Sequence, residues 1–154
     1  MDENWFASPW FSPACVVKKA SEQLSALQLG GGAIRTDPKL KRVREAVAGA
    51  HAALVAQVRT NRPFHLQLNL NDPPDLYFYQ PSPENRLQPV LTHVEHTTYN
   101  VARDGDLSEH LLKAKLAGDG SPANNTLLLV EAEDDPLEIN ARDLQHHLDG
   151  WCEG

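Results

Sequence analysis

No stretch of this 154-residue chain approaches the ~20 consecutive apolar residues that a bilayer-spanning helix needs, so no membrane partner is expected. Cysteine is scarce. Cys15 and Cys152 lie near opposite ends, too few and too far apart for a disulfide framework, and both are expected as free thiols. The start, Met1-Asp2-Glu3-Asn4, is acidic and lacks the basic opening and apolar core of a secretory signal. A cytoplasmic protein is expected, and the glycosylation sequon Asn124-Asn125-Thr126 is then a chance match. Basic charge is also in deficit, with 14 Lys and Arg against 21 Asp and Glu and a formal net charge of −7. Proteins that grip duplex DNA by its phosphates usually show a basic face, because each neutralised phosphate releases counterions. Here the basic cluster Lys39, Lys41, Arg42 and Arg44 reads as a solvated helix face. The deficit argues against tight phosphate binding, though an acidic chain can still cut nucleic acid through a bound metal.

What is present is ordinary for a globular protein: 41% apolar and 23% charged residues, at a length that suits one core. Trp5, Phe6, Trp10 and Phe11 are interrupted by Pro9 and Pro13, which forbid a helix there. They read as an extended aromatic arm anchored on the body or on a protein partner. Val17, Ala20, Leu24 and Leu27 recur at helical spacing, and Gly30-Gly31-Gly32 follows. Without a following Lys-Ser or Lys-Thr the glycines form a linker and not a phosphate loop. Residues 1–36 are therefore expected as an arm and short helix preceding an α/β domain at 37–154.

Asp37 and Pro38 are suited to begin a helix, and Leu40, Val43, Val47, Leu54 and Val58 predict its apolar stripe, ending near Thr60. The period then changes to two. Phe64, Leu66, Leu68 and Leu70 alternate with polar residues as in a strand buried on one face. Asp72-Pro73-Pro74 makes a turn, Asp75–Tyr79 reads as a second strand, and Gln80–Arg86 as a hairpin-type loop. A third strand runs roughly Pro89 to Tyr99, with Val90 and Val94 on one face. Asp106 or Ser108 caps a helix carrying Leu107, Leu111, Leu112 and Leu116. After a polar loop, Leu127–Val130 predicts a strand buried on both faces, and Asn140–Trp151 a last helix. The expected fold is a mixed central β-sheet flanked by helices, in the order helix, three strands, helix, strand, helix.

On that frame two acids stand out. Asp75 opens the second strand and Glu95 lies on the third, in Val94-Glu95-His96-Thr97. Adjacent strands lie ~4.8 Å apart, so the two carboxylates are candidate ligands for one hard divalent cation. Mg²⁺ or Mn²⁺ suits such a pair, because magnesium usually takes one or two carboxylates and keeps several waters. Such a metal would activate a water and stabilise phosphoryl charge. His93 and Glu95 share a strand face at the spacing of two transition-metal ligands, with no third ligand assignable.

The element order and the pair Pro74-Asp75 and Glu95-His96-Thr97 resemble the restriction-endonuclease-like superfamily, whose signature is PD-(D/E)xK, over roughly residues 37–150. The resemblance implies a metal-dependent nuclease with Asp75 and Glu95 as metal ligands and catalytic residues. Glu45 stands where members often carry an acid on the first helix. The signature lysine is replaced by Thr97, whose hydroxyl can hydrogen-bond but carries no charge. Lys113 and Lys115 on the next helix are the candidates for a relocated lysine. The departure predicts a degenerate or repurposed nuclease, with nucleic acid a partner not indicated by charge. The competing expectation is a small acidic binding module. Type III secretion chaperones are of similar size and charge, with Leu127–Glu131 and Leu137-Glu138-Ile139 then read as paired strands. An immunity protein, with an acidic surface facing a basic toxin, is the other form of that reading.

Overall fold

Ser12 and Asp37 begin the two helices that carry the core. The Ser12 hydroxyl accepts from the Cys15 N–H at 3.4 Å, and Pro13 takes the first position of α1 (Pro13–Ala26). Proline suits that place because its missing N–H would have no intrahelical partner. The Asp37 carboxylate accepts from Lys39 N–H at 2.8 Å and starts a 3₁₀ turn, Pro38–Leu40, which runs into α2 (Lys41–Thr60). Asn61, in the left-handed region at φ 51°, ends α2 two residues before Pro63. In this computed structural model the described residues are 10–28, 34, 37–69, 74–81, 90–111 and 126–133.

Beyond α2 come β1 (His65–Leu68), β2 (Leu76–Gln80), β3 (Val90–Tyr99), α3 (Val101–Asp104), α4 (Leu107–Leu111) and β4 (Thr126–Ala132). The strands form one four-stranded sheet in the order β1-β2-β3-β4. β1 to β3 are an antiparallel meander, with Leu66 opposite Phe78 and Leu76 opposite Val94. The Glu133 N–H donates to the Tyr99 carbonyl at 2.8 Å, bringing the C-terminal ends of β3 and β4 together. β4 is thus the parallel neighbour, reached by the long crossover such a connection requires. The fold is α/β with a mixed sheet.

The chain divides into two compact units, Met1–His96 with Asn125–Leu129, and Thr97–Asn124 with Val130–Gly154. In the first, Val16 and Ala20 of α1, Val43, Ala46, Ala50 and Ala53 of α2, and Leu66, Leu68, Leu76, Phe78 and Val94 of the sheet form one apolar cluster. Small residues on α2 let that helix sit close to β2. A Cβ on Gly49 would lie 2.8 Å from Leu76 Cδ2, so only glycine fits without a shift. The end of the aromatic arm joins this unit: Phe11 and Leu66 exchange two backbone hydrogen bonds of 2.9 Å, and the Trp10 ring lies 5.5 Å from that of Tyr79.

In the second unit, Asn100 and Asp104 cap α3 reciprocally. The Asn100 side chain accepts from Arg103 N–H at 3.1 Å, and the Asp104 carboxylate accepts from Asn100 N–H at 2.8 Å. The buried Tyr99 donates its hydroxyl proton to the Gly105 carbonyl. Gly105 itself adopts φ 72°, which glycine tolerates best. Asp106 caps α4 through Glu109 N–H, as expected of it. The short α3 is not part of the predicted order.

Three other expectations change. The buried stripe of α2 is Val43, Ala46, Ala50 and Ala53, whereas Val58 is 85% exposed. Among the described residues β4 is the last strand in the sheet order, and it is not enclosed on both faces; Leu127 is 42% exposed. Val90 too is exposed, and only Val94 of its predicted face reaches the core. Trp5, Phe6, the glycine linker, the Asp72-Pro73 part of the turn, most of Gln80–Arg86, Leu112, Leu116, Leu137–Ile139, the Asn140–Trp151 helix and Cys152 lie outside the described residues. Cys15 is a free thiol.

Candidate functional site

Asp75 is fixed from two sides before β2 begins. Asn69, just past β1, donates its backbone N–H to the Asp75 carbonyl at 3.0 Å and its side-chain amide to the Pro74 carbonyl at 2.8 Å. From the other side, the His96 backbone N–H donates to Asp75 Oδ2 at 2.7 Å, a short charge-assisted bond. Asp75 precedes Leu76 and Glu95 follows Val94, so the Leu76–Val94 pairing carries Asp75 and Glu95 to one level of the ladder. Asp75 is buried and Glu95 is half-buried. The structure therefore brings Asp75 to the Glu95-His96 segment of β3.

The third acid arrives from α2. Glu45 is 2% exposed although its neighbours Lys41 and Arg42 begin at the helix surface. Glu45 Oε1 lies 3.3 Å from Lys41 Nζ, and Glu45 Oε2 accepts from an Arg42 guanidinium nitrogen at 3.0 Å. That same nitrogen stands 3.8 Å from Asp75 Oδ1. Arg42 thus links the two buried carboxylates. Lys41 and Arg42 supply the positive charge that these buried acids demand, since an isolated buried carboxylate is very costly.

Here the reading of the basic cluster is corrected. Arg42 belongs to this cluster and not to a solvated face. Arg44 is also engaged, donating to the Ile34 and Asp37 carbonyls at 2.9 Å each, and so ties the entry of α2. Arg42 is the member of this cluster that the sequence reading missed. The available signal was its i,i+3 spacing to Glu45.

The donor set tests whether Mg²⁺ or Mn²⁺ fits. A shared ion needs carboxylate oxygens turned to one point with no protein cation between them. Both oxygens of Glu45 face ammonium or guanidinium nitrogens. One Asp75 oxygen is held by His96 N–H and the other looks toward Arg42. Among the described residues, no group of three or more His, Cys, Asp or Glu could hold a metal ion. As arranged, Glu45 and Asp75 turn their oxygens to protein donors and do not present a pair of carboxylates to a divalent ion. His93 packs its ring edge-on against Tyr77, 5.4 Å between centroids, its cross-strand partner.

Thr97 belongs to the second unit. Its hydroxyl lies 3.5 Å from His110 Nε2, and His110 Nδ1 lies 3.9 Å from Asp104 Oδ2. The sequence of hydroxyl, imidazole and carboxylate has the order of a proton relay, but the Asp104 carboxylate is already occupied by Arg103 and Asn100 N–H. Arg103 also reaches Glu133 at 3.1 Å. The Arg103 hydrogen bond holds the Asp104 carboxyl at about 2, below its ordinary 3.8; desolvation opposes this, and Asn100 N–H and the nearby positive charges assist. The group is a clasp between β3, α3 and α4. Lys113 and Lys115 lie outside the described residues.

No protein-family model matches the chain, and neither a curated protein nor a solved structure matches it.

Proposed function

We propose that this chain is a nuclease-like domain, similar in architecture to the PD-(D/E)xK enzymes, that has lost phosphodiester hydrolysis and acts by binding. The supporting observation is Arg42, seated between buried Asp75, an acid that a nuclease of that kind would turn toward a metal, and buried Glu45 of α2. A fixed guanidinium shares its single charge between Glu45 and Asp75 but cannot lower the pKa of a bound water as a divalent ion does. Thr97 adds no charge where the signature has lysine, and electrostatic stabilisation is usually the largest single contribution at such sites. The decisive experiment incubates the protein with single- and double-stranded DNA and RNA in Mg²⁺ and in Mn²⁺. No cleavage above the protein-free blank is expected. Cleavage by wild type that Asp75→Asn abolishes would establish a working nuclease and remove this reading.

The net charge of −7 favours a second reading, an acidic module holding a basic protein. Its association rate would fall steeply with salt. An unchanged rate between low and high ionic strength would count against it.

A further inference from the structure

We infer that Arg42 substitutes for a divalent cation at the Glu45–Asp75 cluster, so that this site takes no metal and Arg42 is the residue that makes it so. The inference rests on the nuclease-like reading only for the class of ion displaced; the geometry stands by itself. Glu45 and Asp75 are each at least nine-tenths buried. Two such carboxylates require positive charge close at hand, and either a bound dication or protein side chains can supply it. Here Arg42 touches Glu45 at 3.0 Å and stands 3.8 Å from Asp75, with Lys41 at 3.3 Å from Glu45 on the outer side. Arg42 stands between these two carboxylates, where a shared dication would have to sit, so the ion and Arg42 exclude each other.

The location of Arg42 explains why it serves. It sits three residues before Glu45 on α2, so one helical turn delivers guanidinium and carboxylate to the same face. Its side chain is only 18% exposed, whereas that of Lys41 is 56% exposed. The exposed Lys41 is screened by water and can swing away. Arg42 cannot leave without stripping both acids of their inner counter-charge.

The test titrates Mn²⁺ into wild type, Arg42→Gln, Asp75→Asn and Arg42→Gln/Asp75→Asn. Stoichiometry is read from the free-Mn²⁺ resonance signal, and the melting temperature is taken with and without metal. Wild type should bind no Mn²⁺ at this site and show no thermal shift. Arg42→Gln should bind one Mn²⁺ per chain at least tenfold more tightly than wild type and gain stability with it. The second substitution, which keeps the oxygen that accepts from His96, should remove that site. If Arg42→Gln is unfolded in metal-free buffer, Mn²⁺ must restore its circular-dichroism spectrum. Wild type binding one Mn²⁺ that Asp75→Asn abolishes overturns the inference, as does a folded Arg42→Gln that binds none. Wild type that binds Mn²⁺ without cutting nucleic acid defeats the inference and leaves the nuclease-like reading standing. Metal-free wild type that cuts defeats that reading and leaves the role of Arg42 standing.

Discussion

The Asp75 carboxylate accepts a 2.7 Å hydrogen bond from the His96 backbone N–H, across 21 residues of sequence. It ties the residue that precedes β2 to the strand that carries Glu95, and it does so with one carboxylate oxygen, while the other lies 3.8 Å from Arg42. Asp75 therefore has a structural task independent of any chemistry. Hydrogen bonds to charged groups contribute about 1.5–3 kcal/mol net. Asp75→Ala should cost about that much in denaturant unfolding, and Asp75→Asn less, because its amide oxygen can still accept from His96. Equal losses in the two variants would show that the bond to His96 is not what holds the segment.

Glu45 and Arg42 are coupled, so their substitutions should not add. Glu45→Ala removes the partner that Arg42 holds at 3.0 Å and should cost on the order of 3 kcal/mol, the lower end of what breaking a buried ion pair costs. The partial exposure of Arg42 is the reason for the lower end. The Glu45→Ala/Arg42→Met double variant should recover at least ~0.5 kcal/mol of the summed single losses, the scale of coupling between residues in contact. Strict additivity in urea melts would separate the two side chains energetically.

The two ends of the α2 stripe should behave differently. Val43 is in the core and Val58 is 85% exposed. Val58→Lys should change stability by no more than ~0.5 kcal/mol, since surface substitutions away from special features rarely do more. Val43→Ala, which opens a cavity, should cost more than ~1 kcal/mol. Thermal melts of the two variants check the contrast.

That contrast shows what periodicity conveys and what it omits. The stripe Leu40, Val43, Val47, Leu54 and Val58 identified the helix and its span, because a 3.6 period is a local property. Which side is covered depends on neighbours, and α1 and the sheet settle on the alanines at 46, 50 and 53. β4 was legible as a strand for the same reason, but its apolar run Leu127–Val130 gave no information on whether it ends the sheet. At the site, Asp75 and Glu95 could be paired from register, since Leu66, Leu76 and Val94 fix the inward face of each strand. Arg42 could not be placed so, because a charged residue in the first turn of a helix reads as solvated until an acid one turn on proves to be buried. The clasp of Asp104 with Arg103 and His110 depends on the unpredicted α3.

Gly49→Ala sets two effects against each other. Alanine gains about 1 kcal/mol of helix propensity over glycine. Its Cβ would meet Leu76 Cδ2 at 2.8 Å, and Leu76 is fully buried. Overpacking of that kind costs about 1–3 kcal/mol. Net destabilisation is expected, and Leu76→Val in the same chain should relieve it. A Gly49→Ala protein that melts higher than wild type would mean that β2 yields to α2.

The clasp of the second unit should weaken in acid, and the sign follows from Asp104. Its carboxyl is held at about 2 against an ordinary 3.8, first by the Arg103 hydrogen bonds of 2.8 and 2.7 Å. A folded value below the unfolded one means the stabilisation is complete above the unfolded value and lost as pH falls through the folded value. Arg103, raised above its own ordinary value by the same contact, stays charged throughout and adds no pH dependence in this range. Asp104→Asn should therefore be less stable than wild type at neutral pH. The gap between the two should close as pH drops from 3.8 to about 2. Amide exchange at Tyr99, Asn100 and Gly105, compared in the two proteins across that interval, reads the clasp directly. A gap that persists undiminished at the acid end would show that Asp104 acts through shape and not through its charge.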